Sequence, residues 1–343
     1  MSKQNLPLGY LGKIMLTAMS CLMLFSCSIG ETDYERQVKI DDQILYKYMA
    51  DNNIQAQKHS EGFYYQVITA NPTGAALKKN DVVSFYYSIS KMGQLLNLAA
   101  EDTKPQNSSM IAPKVSPFIA QNPIETNELP GKKPAQFKLL TYSIIPEGLD
   151  YAVSMMRVGE KYRFYIPSYL AYGSYNTSDF SANSNFIIDI RIVSAKTETE
   201  IDDIQRDSIE NYVSTKYATF EKYASGLYFV DSIPGTGRRP NTVDYVSIDF
   251  SRKYMDDNII KVTNGVSFFL GQGQAVQGLE EGIKLMKEGG TSVLIMPSKL
   301  AFKQSLCVIP QKTRANLLND RIISADVLPY SIVKYVVKLK SSN

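Results

Sequence analysis

Gly148-Leu149-Asp150-Tyr151-Ala152-Val153-Ser154-Met155-Met156-Arg157-Val158-Gly159 aligns without gaps to Gly278-Leu279-Glu280-Glu281-Gly282-Ile283-Lys284-Leu285-Met286-Lys287-Glu288-Gly289. Leu149, Val153 and Met156, like Leu279, Ile283 and Met286, fall at i, i+4 and i+7, the spacing of a helix with one apolar face. The glycines at the two ends suit a tight start and a C-terminal stop. Ile166-Pro167-Ser168-Tyr169-Leu170-Ala171-Tyr172-Gly173 follows the first copy, and Met296-Pro297-Ser298-Lys299-Leu300-Ala301-Phe302-Lys303 the second. Each copy then closes on an alternating, strand-like stretch, 186–192 or 333–339.

The repeat extends upstream. Ile40-Asp41-Asp42 recurs as Ile201-Asp202-Asp203, each opening a polar, helix-like leader that contains Tyr48 or Tyr212. Gly62-Phe63-Tyr64-Tyr65 matches Gly226-Leu227-Tyr228-Phe229, a turn with Pro and Gly follows, and the alternating stretch 81–87 matches 244–250. The chain therefore reads as one domain written twice, at 40–196 and 197–343, each with a helical leader. Strands do not alternate with helices, so the pattern argues against a doubly wound parallel sheet. It predicts an α+β unit, an antiparallel sheet on one short helix.

Two insertions interrupt the pattern. Residues 98–138 hold six of the 15 prolines and have neither helical nor strand period; a loop that long is either a functional flap or a tolerated, disordered insertion. The stretch 311–328 predicts a short helix near 313–321.

The first 39 residues carry an address. Lys3 and Lys13 precede an apolar run at 14–25, too short for the roughly 20 residues of a spanning helix and typical of a secretory signal. Leu24-Phe25-Ser26-Cys27 resembles a bacterial lipobox. The leading expectation is a lipoprotein signal at 1–26, acylation of Cys27 and a tether at 27–39, placing an exported protein at a membrane of the bacterial envelope, the outer one. The alternative is a plain signal with an incidental cysteine.

Composition narrows the chemistry. The 343 residues carry 37 Lys+Arg against 34 Asp+Glu, a net charge of +3 that gives no nucleic-acid signal. One His and three Cys argue against zinc and against a disulfide framework. Gly271-Gln272-Gly273 lacks the spacing and flanking elements of a nucleotide loop. Asp202, Asp203, Asp207 and Glu210 read as a solvated helix face rather than a metal site. What remains is apolar and phenolic surface: 23 Tyr, 14 Phe and no Trp.

Gly-Leu-Asp/Glu-x-x-Ile/Val-x-x-Met-x-x-Gly followed by Ile/Met-Pro-Ser-x-Leu-Ala-aromatic resembles the FKBP-type peptidyl-prolyl isomerases, as does Phe268-Phe269-Leu270-Gly271 leading to Val276-Gln277-Gly278. The resemblance implies two tandem domains, each an antiparallel half-barrel around one short helix with a pocket between them, and no cofactor or metal. It implies a first-domain pocket of Tyr87, Ile144, Ile145, Leu149, Tyr172 and Ile188. The second-domain pocket would be Phe250, Ala275, Val276, Leu279, Phe302, Ile309 and Tyr335, with the 311–328 helix over it.

Leu149 and Leu279 stand where the family usually has Trp. Its Asp-containing segment has as nearest equivalents Leu96-Asn97-Leu98 and Ile260-Lys261-Val262. Phe302-Lys303 replaces Tyr-Gly in the second copy, so the first domain is the expected isomerase. Its expected substrates are proline-containing exported polypeptides. The alternative is a non-catalytic envelope lipoprotein that keeps the fold as a chaperone, binding or scaffold module.

Overall fold

A computed structural model describes residues 31–92 and 123–343. The signal at 1–26, Cys27, Leu96-Asn97-Leu98 and residues 98–122 of the first insertion lie outside the described residues.

Two helical leaders frame the chain, α1 (Asp33–Asp51) and, after the first domain, α3 (Glu198–Lys216). Both start with a capping box. The hydroxyls of Thr32 and Thr197 accept from the amides of Glu35 and Glu200, and those carboxylates accept from the threonine amides in return. Two orphan N–H groups are thereby satisfied at each start.

The first domain forms β1 (Gln57–Lys58), β2 (Tyr64–Thr69), β3 (Val82–Lys91), β4 (Glu125–Thr126), β5 (Ala135–Lys138), β6 (Ile144–Ile145), α2 (Gly148–Ser154), β7 (Lys161–Ile166) and β8 (Phe186–Lys196). Its main sheet runs β1-β2-β7-β8-β3-β4, with β5 also paired to β3. After α3 come β9 (Glu221–Lys222), β10 (Tyr228–Ile233), β11 (Tyr245–Lys253), β12 (Ile259–Phe269), α4 (Gln277–Leu285), β13 (Thr291–Met296), β14 (Cys307–Val308), α5 (Arg314–Asn319) and β15 (Val333–Ser342). The second sheet runs β12-β11-β15-β13-β10-β9, the same strand order as the first. All pairings within both sheets are antiparallel.

Period-2 alternation turns Val83, Phe85, Tyr87 and Ile89 of β3 inward. Against them the register sets Ile192, Ile190 and Ile188 of β8 opposite Phe85, Tyr87 and Ile89. The short helix closes this core with Leu149 and Val153, joined by Met156 just past its end, and α4 does the same with Leu279 and Ile283, joined by Met286 at its C-cap, all buried. Fully burying each such side chain contributes about 1.5–3 kcal/mol.

Gly148 and Gly278 serve close packing rather than a turn. A Cβ on Gly148 would lie 2.9 Å from the Leu170 side chain, and one on Gly278 2.5 Å from the Met296 sulfur.

The first insertion is not uniformly irregular. Its last third supplies β4 and β5, both paired with β3. The alternation is too brief in two- and four-residue strands to register as a period.

The leaders also correct the alignment of the repeat. Asp41, Leu45 and Met49 are the buried face of α1; Gln205, Ile209 and Val213 take the equivalent turns of α3, beside Ile201. Asp41 thus corresponds to Gln205, not to Asp202. Both grip the turn after their domain's Pro-Ser. Asp41 accepts from Ser168 Oγ at 2.6 Å, whereas Gln205 accepts from the Ser298 amide at 2.7 Å and donates to the Tyr330 carbonyl at 2.7 Å. Polar side chains on a helix's inner face have no apolar period, so the triplet match hid this register.

Asp41 is fully enclosed, and burial raises its carboxyl pKa above the ordinary value despite hydrogen bonds from Ser168 and Gln37 that lower it. The folded state therefore holds this proton more tightly than the unfolded chain. Its contribution to stability is largest in acid and falls as pH rises from the unfolded carboxyl value through the raised one. Asp41→Asn, which imitates the amide of Gln205, should gain stability relative to the parent across that window and reach a plateau above it. Urea unfolding of both proteins from pH 4 to 8 checks this; a pH-independent difference would contradict it.

Candidate active site

In the first domain, β3 carries Tyr87 into the core, where it is 2% exposed. Its hydroxyl donates to the carboxylate of Glu125 on β4, while Tyr87 N donates to Asn127 Oδ1 at 2.6 Å. Burial and the adjacent Glu125 charge raise the Tyr87 pKa far above a phenol's ordinary value, so it stays a neutral donor.

Asp150, the acidic residue of the Gly-Leu-Asp motif, accepts from the amides of Leu140 and Tyr142 at 2.6 and 2.8 Å. Those two residues have φ of 56° and 55°, strained for side-chain-bearing residues, and the carboxylate fixes the turn that presents Ser143, Ile144 and Ile145. Glu280 repeats the device, accepting from the amides of Gly271 and Ala275.

Leu149 and Ile188 are fully buried in the same cluster as Tyr87 and Ile144. The turn bearing Tyr172 is held by Asn185, which accepts from the Ser168 amide at 2.7 Å, and by Asp41. The Tyr172 ring packs against Phe180 and Phe186, with centroids 4.6 and 5.9 Å away. Burial lifts its pKa well up, which keeps its hydroxyl a donor. Tyr87, Ile144, Leu149 and Ile188, with Tyr172 packed against them, thus form one apolar site edged by two phenols, whereas Ile145 is half-buried outside that cluster.

That site is occupied by the second domain. Tyr172 donates from its hydroxyl to the carbonyl of Ile309 at 2.9 Å. β14 lies parallel to β6, with Cys307 N donating to Ser143 O at 2.8 Å and Ile309 N to Ile145 O at 2.9 Å. The Gln311 amide donates to Glu125 at 2.6 Å and approaches Tyr87 Oη at 3.3 Å; the Lys312 amide donates to the other Glu125 oxygen at 3.0 Å. Pro310 is buried between these two sets of bonds.

Ile309, expected in the second pocket, therefore belongs to the first, fully buried in its core beside Cys307. The predicted helix of the 311–328 insertion forms as α5. The residues leading into it sit on the first domain rather than over the second pocket. Cys307 is the free, buried cysteine of the described residues, and burial pushes its thiol up to about 12.

The second site is built differently. Phe250, Ala275, Val276, Leu279, Phe302 and Tyr335 do share one cluster. Arg252, however, turns inward where the first repeat has Ile89. It is 6% exposed, stacks 4.6 Å from the Phe302 ring centroid, and donates to Tyr335 Oη at 3.1 Å and to Asp326. A guanidinium covers the aromatic wall that an apolar ligand would need.

Neither Glu125 nor Arg252 was among the sequence-selected residues. Glu125 lies in a segment without period, and Arg252 has the inward parity of its strand, a signal legible once the repeat is aligned. Among the described residues there is no group of three or more His, Cys, Asp or Glu that could hold a metal ion. The acidic face of α3 is instead taken up by cations, with Arg206 bridging Asp203 and Asp207.

The model of the FKBP-type peptidyl-prolyl cis-trans isomerases matches residues 101–193 and 236–339, one segment in each domain. The chain belongs to this family.

It is 30% identical over 83 residues to a probable FKBP-type peptidyl-prolyl cis-trans isomerase FkpA of Neisseria meningitidis, covering 24% of this chain and 30% of that protein. With the Aeromonas hydrophila FKBP-type isomerase FkpA it shares 25% identity over 150 residues, 43% of this chain and 50% of that one. The chain thus spans half or less of these relatives' lengths. The crystal structure of the three FKBP domains of wheat FKBP73 aligns over 84% of this chain and 99% of that one, at 15% identity and a TM-score of 0.30. The FKBP fold, twice over, rests on the two matched segments.

The Arg252–Asp326 pair makes a prediction about the second domain. Asp326→Asn leaves the buried guanidinium without its counter-charge and should cost about 1.5–3 kcal/mol. Arg252→Met, which removes charge and demand together, should cost less. Denaturant midpoints for the two variants give the order, and the reverse order would contradict the reading.

Proposed function

We propose that the first domain catalyses cis-trans isomerisation of X-Pro bonds in exported polypeptides. The observation that carries this reading is the bond from Tyr172 Oη to the carbonyl of Ile309, the residue before Pro310. An X-Pro dipeptide is what the site accommodates.

Rotation about such a bond meets a barrier near that of ordinary amides, about 18–20 kcal/mol, because resonance must be broken. No nucleophile or proton transfer is needed. Tyr172 holds the carbonyl of the X residue, while Glu125 and Tyr87 hold the amides beyond the proline. Between these anchors the bond sits in the apolar core that holds Ile309, whose buried side chains stabilise the polar, planar amide less than water does. A site that binds the twisted form better than either planar form lowers the barrier. Each sheet is read as a half-barrel curled around its helix, which gives the pocket its depth.

The second domain is proposed as a non-catalytic module, because Arg252 fills its pocket with charge and Phe302 offers no hydroxyl. Export and anchoring through acylated Cys27 to an envelope membrane, the outer one, complete the reading and are supported by the lipobox-like Leu24-Phe25-Ser26-Cys27. No helix among the described residues is long and apolar enough to cross a membrane.

A protease-free isomerisation assay on residues 28–343 tests this. Acceleration above the uncatalysed rate is expected, lowered about three- to tenfold by Tyr172→Phe, the loss of one hydrogen bond. The rate should be flat from pH 6 to 9, because both phenols titrate above that range. A bell-shaped pH profile would defeat the proposal, as would no acceleration over several X-Pro peptides from any folded protein, the parent and variants that free the Tyr172 site of Ile309 alike.

A further inference from the structure

Residues 307–313 belong to the second domain by sequence but to the first by packing. Cys307 and Ile309 lie in the first domain's core, whereas Val327, farther along the chain in the 311–328 insertion, lies in the second's. The backbone of the segment is held on both sides of Pro310: two strand-type bonds and the Tyr172 hydroxyl before it, the Glu125 carboxylate after it. The periphery adds Lys312 to Asp179 at 2.7 Å and Tyr175 to Asp320 at 2.7 Å.

We propose that this segment is an internal ligand that keeps the first domain's X-Pro site closed, so that the site opens to other polypeptides only when the second domain lets go. The inference rests on reading that site as an X-Pro site and adds its regulation. A tethered segment competes at an effective concentration of about millimolar. The apparent affinity for a free peptide is then reduced by the fraction of molecules in which the segment is out.

The bound segment also describes its competitor. An aliphatic residue precedes the proline, an extended stretch N-terminal to it pairs with Ser143–Ile145 backbone, and two residues with free N–H groups follow for Glu125. A proline at either following position has no N–H to give and should weaken binding.

Ile309→Asp puts a carboxylate into the apolar site and should eject the segment, without touching the second domain's core, in which Ile309 has no part. Lys312→Glu, at an exposed position, turns the pair with Asp179 into a repulsion and adds charge beside Glu125; it keeps the test intact if Ile309→Asp fails to fold. Three readouts are compared on residues 28–343: amide exchange over 307–313, binding of a labelled Val-Ile-Pro-Gln-Lys peptide, and isomerisation.

Release should speed exchange of the Gln311 and Lys312 amides by at least about tenfold. It should also tighten peptide binding and raise turnover by at least about threefold. Faster exchange with unchanged peptide binding would overturn the proposal, as would unprotected amides in the parent protein. Tighter peptide binding in the variants with no turnover in any protein would uphold the internal ligand and instead sink the isomerase reading.

Discussion

The seat of one short helix on the sheet is the constraint from which the rest follows. Gly148 and Gly278 have no side chain where Leu170 and Met296 press in, so the helix lies close enough to bury its apolar face. One residue further on, Leu149 and Leu279 form part of the core wall. The next residue, Asp150 or Glu280, reaches back to hold the turn before the helix, a strained one in the first domain. A single run of Gly-Leu-acid therefore sets the helix's depth, the apolar wall and the rim together. Substituting the glycine would disturb all three at once.

The two copies show how one scaffold takes two chemical characters. In the first, an inward Ile89 and a hydroxyl on Tyr172 leave an apolar site with a directed donor. In the second, Arg252 and Phe302 occupy the same places, and a guanidinium paired with Asp326 fills the wall. The same fold thus frames two sites of different chemistry. The domains meet at the first of these sites, which holds residues 307–312 of the second domain.

Much of this was legible in the chain. The helix, the Pro-Ser turn, the core strands and the duplication all rest on periodicity or gapless repetition, signals that survive without a structure. Tyr87, Leu149 and Ile188 lie on those periodic elements and are buried in one cluster. What escaped were contacts between segments distant in sequence. Glu125 meets Tyr87 across an aperiodic insertion, and Ile309 meets Tyr172 across a domain boundary. Sequence order points Ile309 to the second pocket, and packing puts it in the first. A loop that leaves its own domain to satisfy another's hydrogen bonds leaves no local pattern. Asp41 and Gln205 were misaligned for a related reason: buried polar anchors carry no hydrophobic period.

The central claim is that the first domain, and not the second, is the site for an aliphatic-X-Pro segment. An amide-resolved spectrum of residues 28–343 titrated with a short aliphatic-X-Pro peptide tests it most directly. The account predicts saturating shifts at Tyr87, Ile145 and Tyr172, with Ile309 and Gln311 moving as the internal segment is displaced, and none at Phe250 or Tyr335. Shifts confined to Phe250, Arg252 and Tyr335 would contradict it.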